Sequence, residues 1–394
     1  MAEPERWTTS WYAAPCRMPE AGLKGRTFRQ IVHLHASGQK LRLRLSNRYG
    51  DHPVTLTDIS VGRALQGPVV ADGVCPVTFN QQAAVTLPPG EDVTSDPVQM
   101  TVDSFTNMAI SFRLADGECL TGHMSAQQIS YVSNKGDVGS ATGEIAYLVF
   151  PLQTSSWWLI AGVDVVPDVP VNTLVIFGSS TTDGMGSSVN ANRRWPNYLA
   201  RRLQNAGADK FMSVVNAGIS GNQLTGSNMP QLAGPAIPTF LLGEPGQRRL
   251  AWDVSTQSGA TDLIFHIGSN DLRCGMTAEA IIKAYQDMTT EARKRLRRVF
   301  GTTILPGGYT PAQAAQRQIV NEWMIQHGRE YFDAVFDLGA ALEWPSNRDR
   351  MDPLYDSGDG IHPNDEGYRV MAEAIDITQL SGSPGVSKDV VKVA

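Results

Sequence analysis

At 394 residues, with a formal net charge of −6 and 18% charged residues, the chain is longer than one hydrophobic core ordinarily serves, so two domains are expected. Acidic and basic residues are interspersed, which excludes the electrostatic footprint of a nucleic-acid or anionic-membrane binder. No apolar stretch reaches transmembrane length, and Cys16, Cys75, Cys119 and Cys274 are widely spaced with no CxxC pair, so they form no zinc-ligand pattern.

The chain opens MAEPERWTTSWYAAP, which lacks a basic segment followed by an apolar one. The literal expectation is a cytoplasmic protein, although a mature secreted form with its leader replaced by Met reads the same way. From Trp7 to about Val163 the texture is β. Alternating segments such as Lys40–Leu45 and Met108–Phe112 are divided by turn signals such as Tyr49-Gly50-Asp51 and Pro88-Pro89-Gly90. Short strands at this spacing suggest a β-sandwich or jelly-roll-like domain over residues 1–167. His33 and His35 alternate on one of these strands, and without a third ligand they read as packing or surface residues. Two prolines, Pro167 and Pro170, mark the domain boundary.

Over 168–394 strands alternate with helices, which indicates βαβ units and a parallel sheet. Candidate strands are Leu174–Phe177, Ser213–Asn216, Leu263–Ile267, Thr302–Leu305 and Ala334–Phe336. Helical patterns run from Asn192 to Asn205, Ala278 to Val299 and Ala312 to His327, with a closing helix after Asn364. The basic run Arg293 to Arg298 reads as a solvated helix end. Residues Asn222 to Gly259, rich in Gly, Pro and Gln, read as a long excursion near the sheet's top edge.

Four short stations fall at strand exits or just before a helix: Gly178-Ser179-Ser180, the glycine-bearing Asn216 to Asn222, Gly268-Ser269-Asn270-Asp271, and Asp359-Gly360-Ile361-His362-Pro363. Together they suit acyl transfer. A serine hydroxyl is a weak nucleophile and needs a base, here His362, whose tautomer Asp359 can fix. The negative oxygen of a tetrahedral intermediate needs donors, which the Ser180 and Gly221 backbone N–H groups and the Asn270 amide can supply. Asp183 is expected to position the first loop, Asp271 to cap or brace the third, and Trp195 to pack between helix and sheet; His266, within the buried strand leading to Asn270, can face the pocket but reads first as a satisfied core histidine.

These residues resemble the SGNH (GDSL-type) hydrolase superfamily, named for a serine, glycine, asparagine and histidine in four blocks that match Ser180, Gly221, Asn270 and His362, with the DxxHP ending present as DGIHP. The resemblance continues through TTDG, ANRRWPNYLARRL and HPNDEGYRVMAEAID. Upstream, TFRQIVHLHASGQKLRLRLSNRYGD and SWWLIAGVDV are similar to the N-terminal β domain of one bacterial branch. It implies a flavodoxin-like α/β/α domain, no metal or organic cofactor, and hydrolysis or transfer of ester-linked acyl groups. The partner so implied is a small-molecule ester, with a carbohydrate ester suggested by similar two-domain esterases. One departure is that the family's Gly-Asp-Ser is here Gly178-Ser179-Ser180; another pattern, G-x-S-x-G, fails because Thr182 replaces its last glycine. The leading expectation is a serine esterase. The same triad would serve an acyltransferase, and a reading of another class is a non-catalytic glycan-binding protein, against which the intact serine, histidine and aspartate argue.

Overall fold

The computed structural model describes residues 5–384 except 72, 137, 140, 142 and 227–237, so part of the expected 222–259 excursion lies outside the described residues. The chain divides into two compact units, Met1–Asp168 and Val169–Ala394. No disulfide joins the four cysteines. No helix among the described residues is long and apolar enough to cross a membrane.

The first unit is built of antiparallel sheets. One has the order β1-β8-β3-β5, from β1 (Thr8–Tyr12), β3 (Lys40–Ser46), β5 (Asp92–Thr94) and β8 (Ile160–Val166). Another is centred on β7-β2-β6-β4, from β2 (Arg26–His33), β4 (Val54–Arg63), β6 (Asn107–Asp116) and β7 (Ser130–Lys135). The alternation that marks β3 puts Leu41, Leu43 and Leu45 in the core. Its other face is not simply solvated. Arg42 and Arg44 both reach the fully buried Asp164 of β8, at 3.0 and 3.4 Å, which keeps that carboxylate paired.

The second unit carries a five-stranded parallel sheet in the order β10-β9-β11-β12-β13. Its strands are β9 (Thr173–Gly178), β10 (Ser213–Gly218), β11 (Ala260–His266), β12 (Arg298–Thr302) and β13 (Ala334–Phe336). Leu174, Val175, Ile176 and Phe177 are all fully buried, which is why β9 reads as an unbroken apolar run rather than an alternating one. Its helices include α1 (Ser180–Asp183), α2 (Trp195–Asn205), α3 (Gly246–Ser255), α4 (Ser269–Arg273), α5 (Ala278–Ala292), α6 (Pro311–His327) and α7 (Asp365–Glu373). The connection through α2 runs from β9 to one side of the sheet, and later connections run to the other. Right-handed crossovers then require opposite faces for the two helix groups. Accordingly α2 packs with α7, while α5 packs with α3 and α6.

The fourth strand is Arg298–Thr302, not the expected Thr302–Leu305, and α5 stops at Ala292 rather than Val299. The basic run hides the change of element. Arg293 caps the end of the helix and its side chain pairs with Asp333, whereas Arg298, Val299 and Phe300 already belong to the strand.

Candidate active site

The strand order reverses at β9, whose neighbours β10 and β11 follow it along the chain in opposite directions, so the segments leaving the carboxyl ends of these strands diverge and open a crevice. Three of the four stations leave the sheet there. Gly178 ends β9, and a Cβ on it would lie 2.1 Å from Thr182 Oγ1 and 2.6 Å from the His266 carbonyl, so only glycine fits. Ser180 follows as the first residue of α1. Its N–H is one of the donors that a helix start leaves unused, and it bonds to no other described residue.

The fourth station is brought over by the segment before α7. His362 Nε2 lies 2.9 Å from Ser180 Oγ, and His362 Nδ1 lies 2.6 Å from Asp359 Oδ2. Asp359 Oδ1 also accepts from the Ile361 and His362 N–H groups, both at 2.8 Å, which fixes the carboxylate to the backbone of its own turn. Burial raises the Asp359 pKa, but these hydrogen bonds and the facing imidazole outweigh it, so the carboxyl lies below its ordinary value of 3.8 and is ionised at neutral pH. The segment is anchored to the serine loop by Asp365, which accepts from Ser188 N at 2.8 Å, Ser188 Oγ at 2.6 Å and Arg193 Nη1 at 2.9 Å. Tyr368 adds a bond from its hydroxyl to the Met185 carbonyl at 2.5 Å.

Gly221 has φ +81°, and a Cβ there would lie 2.4 Å from Leu242 Cδ2. Its N–H, like that of Ser180, bonds to no other described residue. Asn270 is buried and gives one Nδ2 hydrogen to the Asn222 carbonyl at 2.9 Å, which orients the amide and leaves its second hydrogen for a ligand. Asp271, fully buried and expected to act on the third loop, instead holds Leu224 N with both oxygens, at 2.9 and 3.0 Å, and so braces the loop that follows Gly221. Burial is the main reason its pKa rises to about 6, against the lowering effect of the bonds from Leu224 and Thr225.

The Ser179 departure is met by other residues. Its hydroxyl bonds to no described residue, while Asp183 Oδ2 accepts from Ser220 N at 2.9 Å and Ser220 Oγ at 2.7 Å. Asn216 Nδ2 donates to the Thr182 carbonyl at 2.7 Å. The first block is thus tied to the second by a carboxylate three residues after Ser180 rather than one before it.

Two groups escaped sequence reasoning. Arg249, on α3 within the expected excursion, is 2% exposed and donates to Gly178 O at 2.8 Å, Ala217 O at 2.9 Å and Asn222 Oδ1 at 3.0 Å, with Asp253 as its charge partner. One guanidinium therefore sets the ends of β9 and β10 and the Asn222 side chain, and nothing in an Arg within a polar helix announces that. The second is a pocket beside Ser180, lined by Ser179, Thr181, His266, Ser269, Arg273 and Tyr309 among others. His266 is buried and takes the alternative position, facing this pocket, rather than the favoured one of a satisfied core residue; Trp195 packs edge-on against it with ring centroids 6.0 Å apart. In the first unit His33 and His35 pack edge-on with ring centroids 5.6 Å apart, and His33 Nδ1 lies 2.8 Å from Asn107 Oδ1.

The model of the GDSL-like Lipase/Acylhydrolase family matches residues 176–370. No curated protein matches the chain. Similar solved structures include a member of the lipolytic protein G-D-S-L family from Veillonella parvula DSM 2008, 20% identical, covering 52% of this chain and 96% of its own, with TM-score 0.37. A carbohydrate acetylesterase from Sinorhizobium meliloti is 14% identical over 52% of this chain and 95% of its own, with TM-score 0.38. The aryl esterase of M. smegmatis is 17% identical over 52% of this chain and 96% of its own, with TM-score 0.37.

Proposed function

We propose, on the premise that this chain belongs through residues 176–370 to the GDSL-like Lipase/Acylhydrolase family and is a carboxylic ester hydrolase, that it works by an acyl-enzyme formed on Ser180. The observation that carries this reading is the continuous contact Ser180 Oγ, His362 Nε2, His362 Nδ1, Asp359 Oδ2, at 2.9 and 2.6 Å. The ionised Asp359 accepts the Nδ1 hydrogen, so the lone pair of the neutral imidazole sits on Nε2, facing the serine. His362 takes the proton as Ser180 Oγ attacks the ester carbonyl and returns it to the leaving alcohol. Water then attacks the acyl-enzyme by the same route in reverse. Ser180 N, Gly221 N and Asn270 Nδ2 receive the charge that develops on the carbonyl oxygen. None of these steps calls on a metal or an organic cofactor.

The antiparallel sheets of the first unit support reading it as a sandwich-like accessory domain to this esterase. The test is a panel of aryl and alkyl esters with acyl groups of two to eight carbons. Ser180→Ala and His362→Ala are expected to lose turnover to the background rate while keeping the circular dichroism of the wild type. Full activity in either variant removes the mechanism.

A further inference from the structure

We infer that the pocket beside Ser180, of about 10 Å³ and so the size of one water, seats a single hydroxyl of the ester, with His266 Nε2 accepting the hydroxyl hydrogen; this rests on the esterase reading above. The pocket wall includes Ser179 and Thr181, the chain neighbours of the proposed nucleophile, and Ile361, the chain neighbour of the proposed base. His266 stands at the end of β11 and is 6% exposed. Its Nδ1 lies 2.8 Å from Thr302 Oγ1, and that hydroxyl spends its one hydrogen on the Phe265 carbonyl at 3.0 Å. Thr302 therefore accepts, His266 Nδ1 carries the hydrogen, and the lone pair of the ring is on Nε2. Burial pulls the His266 pKa down to about 4, so the ring is neutral at working pH.

Nε2 has no partner among the described residues. An acceptor that opens on a pocket and bonds to no described residue is available to a ligand that donates a hydrogen. A second residue of the lining sets the ligand's charge. Arg273 is 8% exposed and makes no ion pair among the described residues; its guanidinium is held by Gly307 O at 2.6 Å and Gly308 O at 3.1 Å and lies 4.4 Å from the Tyr309 ring centroid. An uncompensated cation there repels an ammonium group. A carboxylate would suit Arg273 but brings no hydrogen for Nε2. A hydroxyl donates to His266 and accepts from Arg273 or from the Ser269 and Tyr309 hydroxyls, which lie 2.8 Å apart, while Ile267, Ile304, Leu305, Pro306 and Ile361 complete the lining around its carbon. A plain alkyl group leaves Nε2 bare.

The hydroxyl can belong to the acyl or to the alcohol part of the ester, and isosteric pairs separate the two. We would compare kcat/KM for hydroxyacetyl against propanoyl esters of one phenol, and for 2-hydroxyethyl against propyl acetate, each ratio divided by that of hydroxide-catalysed hydrolysis. The expected result is a corrected preference of about tenfold or more for the hydroxylated member of one pair. It should fall towards one in His266→Phe and in Thr302→Val, the second of which removes the group that fixes the tautomer. Turnover of all four esters with corrected ratios near one overturns the subsite alone, as does a preference that survives both substitutions. No turnover of any ester overturns the esterase reading and the subsite with it.

Discussion

Ser180, His362 and Asp359 are held by short contacts that do not depend on the loops being clamped by a ligand, since Asp359 is fixed by two N–H groups of its own turn at 2.8 Å. At this scale the proposed donors are unequal. Asn270 is oriented by its bond to the Asn222 carbonyl, so Asn270→Ala is expected to lower kcat by about 10²–10³ with little change in KM, as for loss of one donor acting only in the transition state. Steady-state kinetics on one good ester checks this. Gly221→Ala meets both a φ of +81° and the Leu242 side chain, so it should lose activity and lower the unfolding midpoint together. Asp271 supplies a pH test. Its folded pKa of about 6 exceeds the ordinary 3.8, so between these values the folded protein holds a proton that the unfolded chain has released. Its contribution is thus fully present below about pH 4 and is lost as pH rises through 6. A shift of that size corresponds to about 3 kcal/mol. In Asp271→Asn the fall in denaturant stability between pH 4 and pH 7 should be smaller than in the wild type; an equal fall contradicts the assignment.

At the scale of elements, the site is an assembly of strand exits held by side chains from elsewhere. The motifs themselves were legible, because each is a short run whose glycines, hydroxyls and amide have a local reason to follow a strand. What ties them was not. Arg249 reaches Gly178, Ala217 and Asn222 from a helix in the middle of a polar stretch, and Asp365 reaches Ser188 and Arg193 across the fold. Such partners are fixed by tertiary folding and leave no period or spacing in the sequence. The strand Arg298–Thr302 was misplaced for a related reason, since a buried position in a parallel sheet overrode the helical appearance of its basic flank. Arg249→Met keeps the length of the side chain but removes its donors and strands Asp253. It should reduce kcat at least tenfold and destabilise the protein by several kcal/mol, because a buried charge loses its partner. Kinetics and urea unfolding, compared with Arg249→Met/Asp253→Leu, separate the two effects: the double variant should regain stability but not rate.

For the whole molecule, the change of texture at Pro167–Pro170 was visible as a change from alternating to βαβ patterning, and the chain divides into its two compact units between Asp168 and Val169. The parallel sheet was legible because strands buried on both faces give continuous apolar runs. The order of the first unit's strands was not, since antiparallel pairing of distant segments such as β1 with β8 is decided by register, with Thr8 opposite Val165, rather than by any local signal. Each unit is compact by itself, and buried apolar side chains occur in both, so calorimetry should resolve two unfolding transitions, and acylation of Ser180 should raise only the one that belongs to the second unit. A single transition that shifts as a whole would contradict independent cores.

The most direct test of the account is the reactivity of Ser180 towards a fluorophosphonate, read by intact-mass and peptide mass spectrometry beside Ser180→Ala and His362→Ala. The account predicts one adduct, on the peptide bearing Ser180, absent in the first variant and slowed at least a hundredfold in the second. A folded wild-type protein that takes up no adduct, or takes it up at another residue, would contradict it.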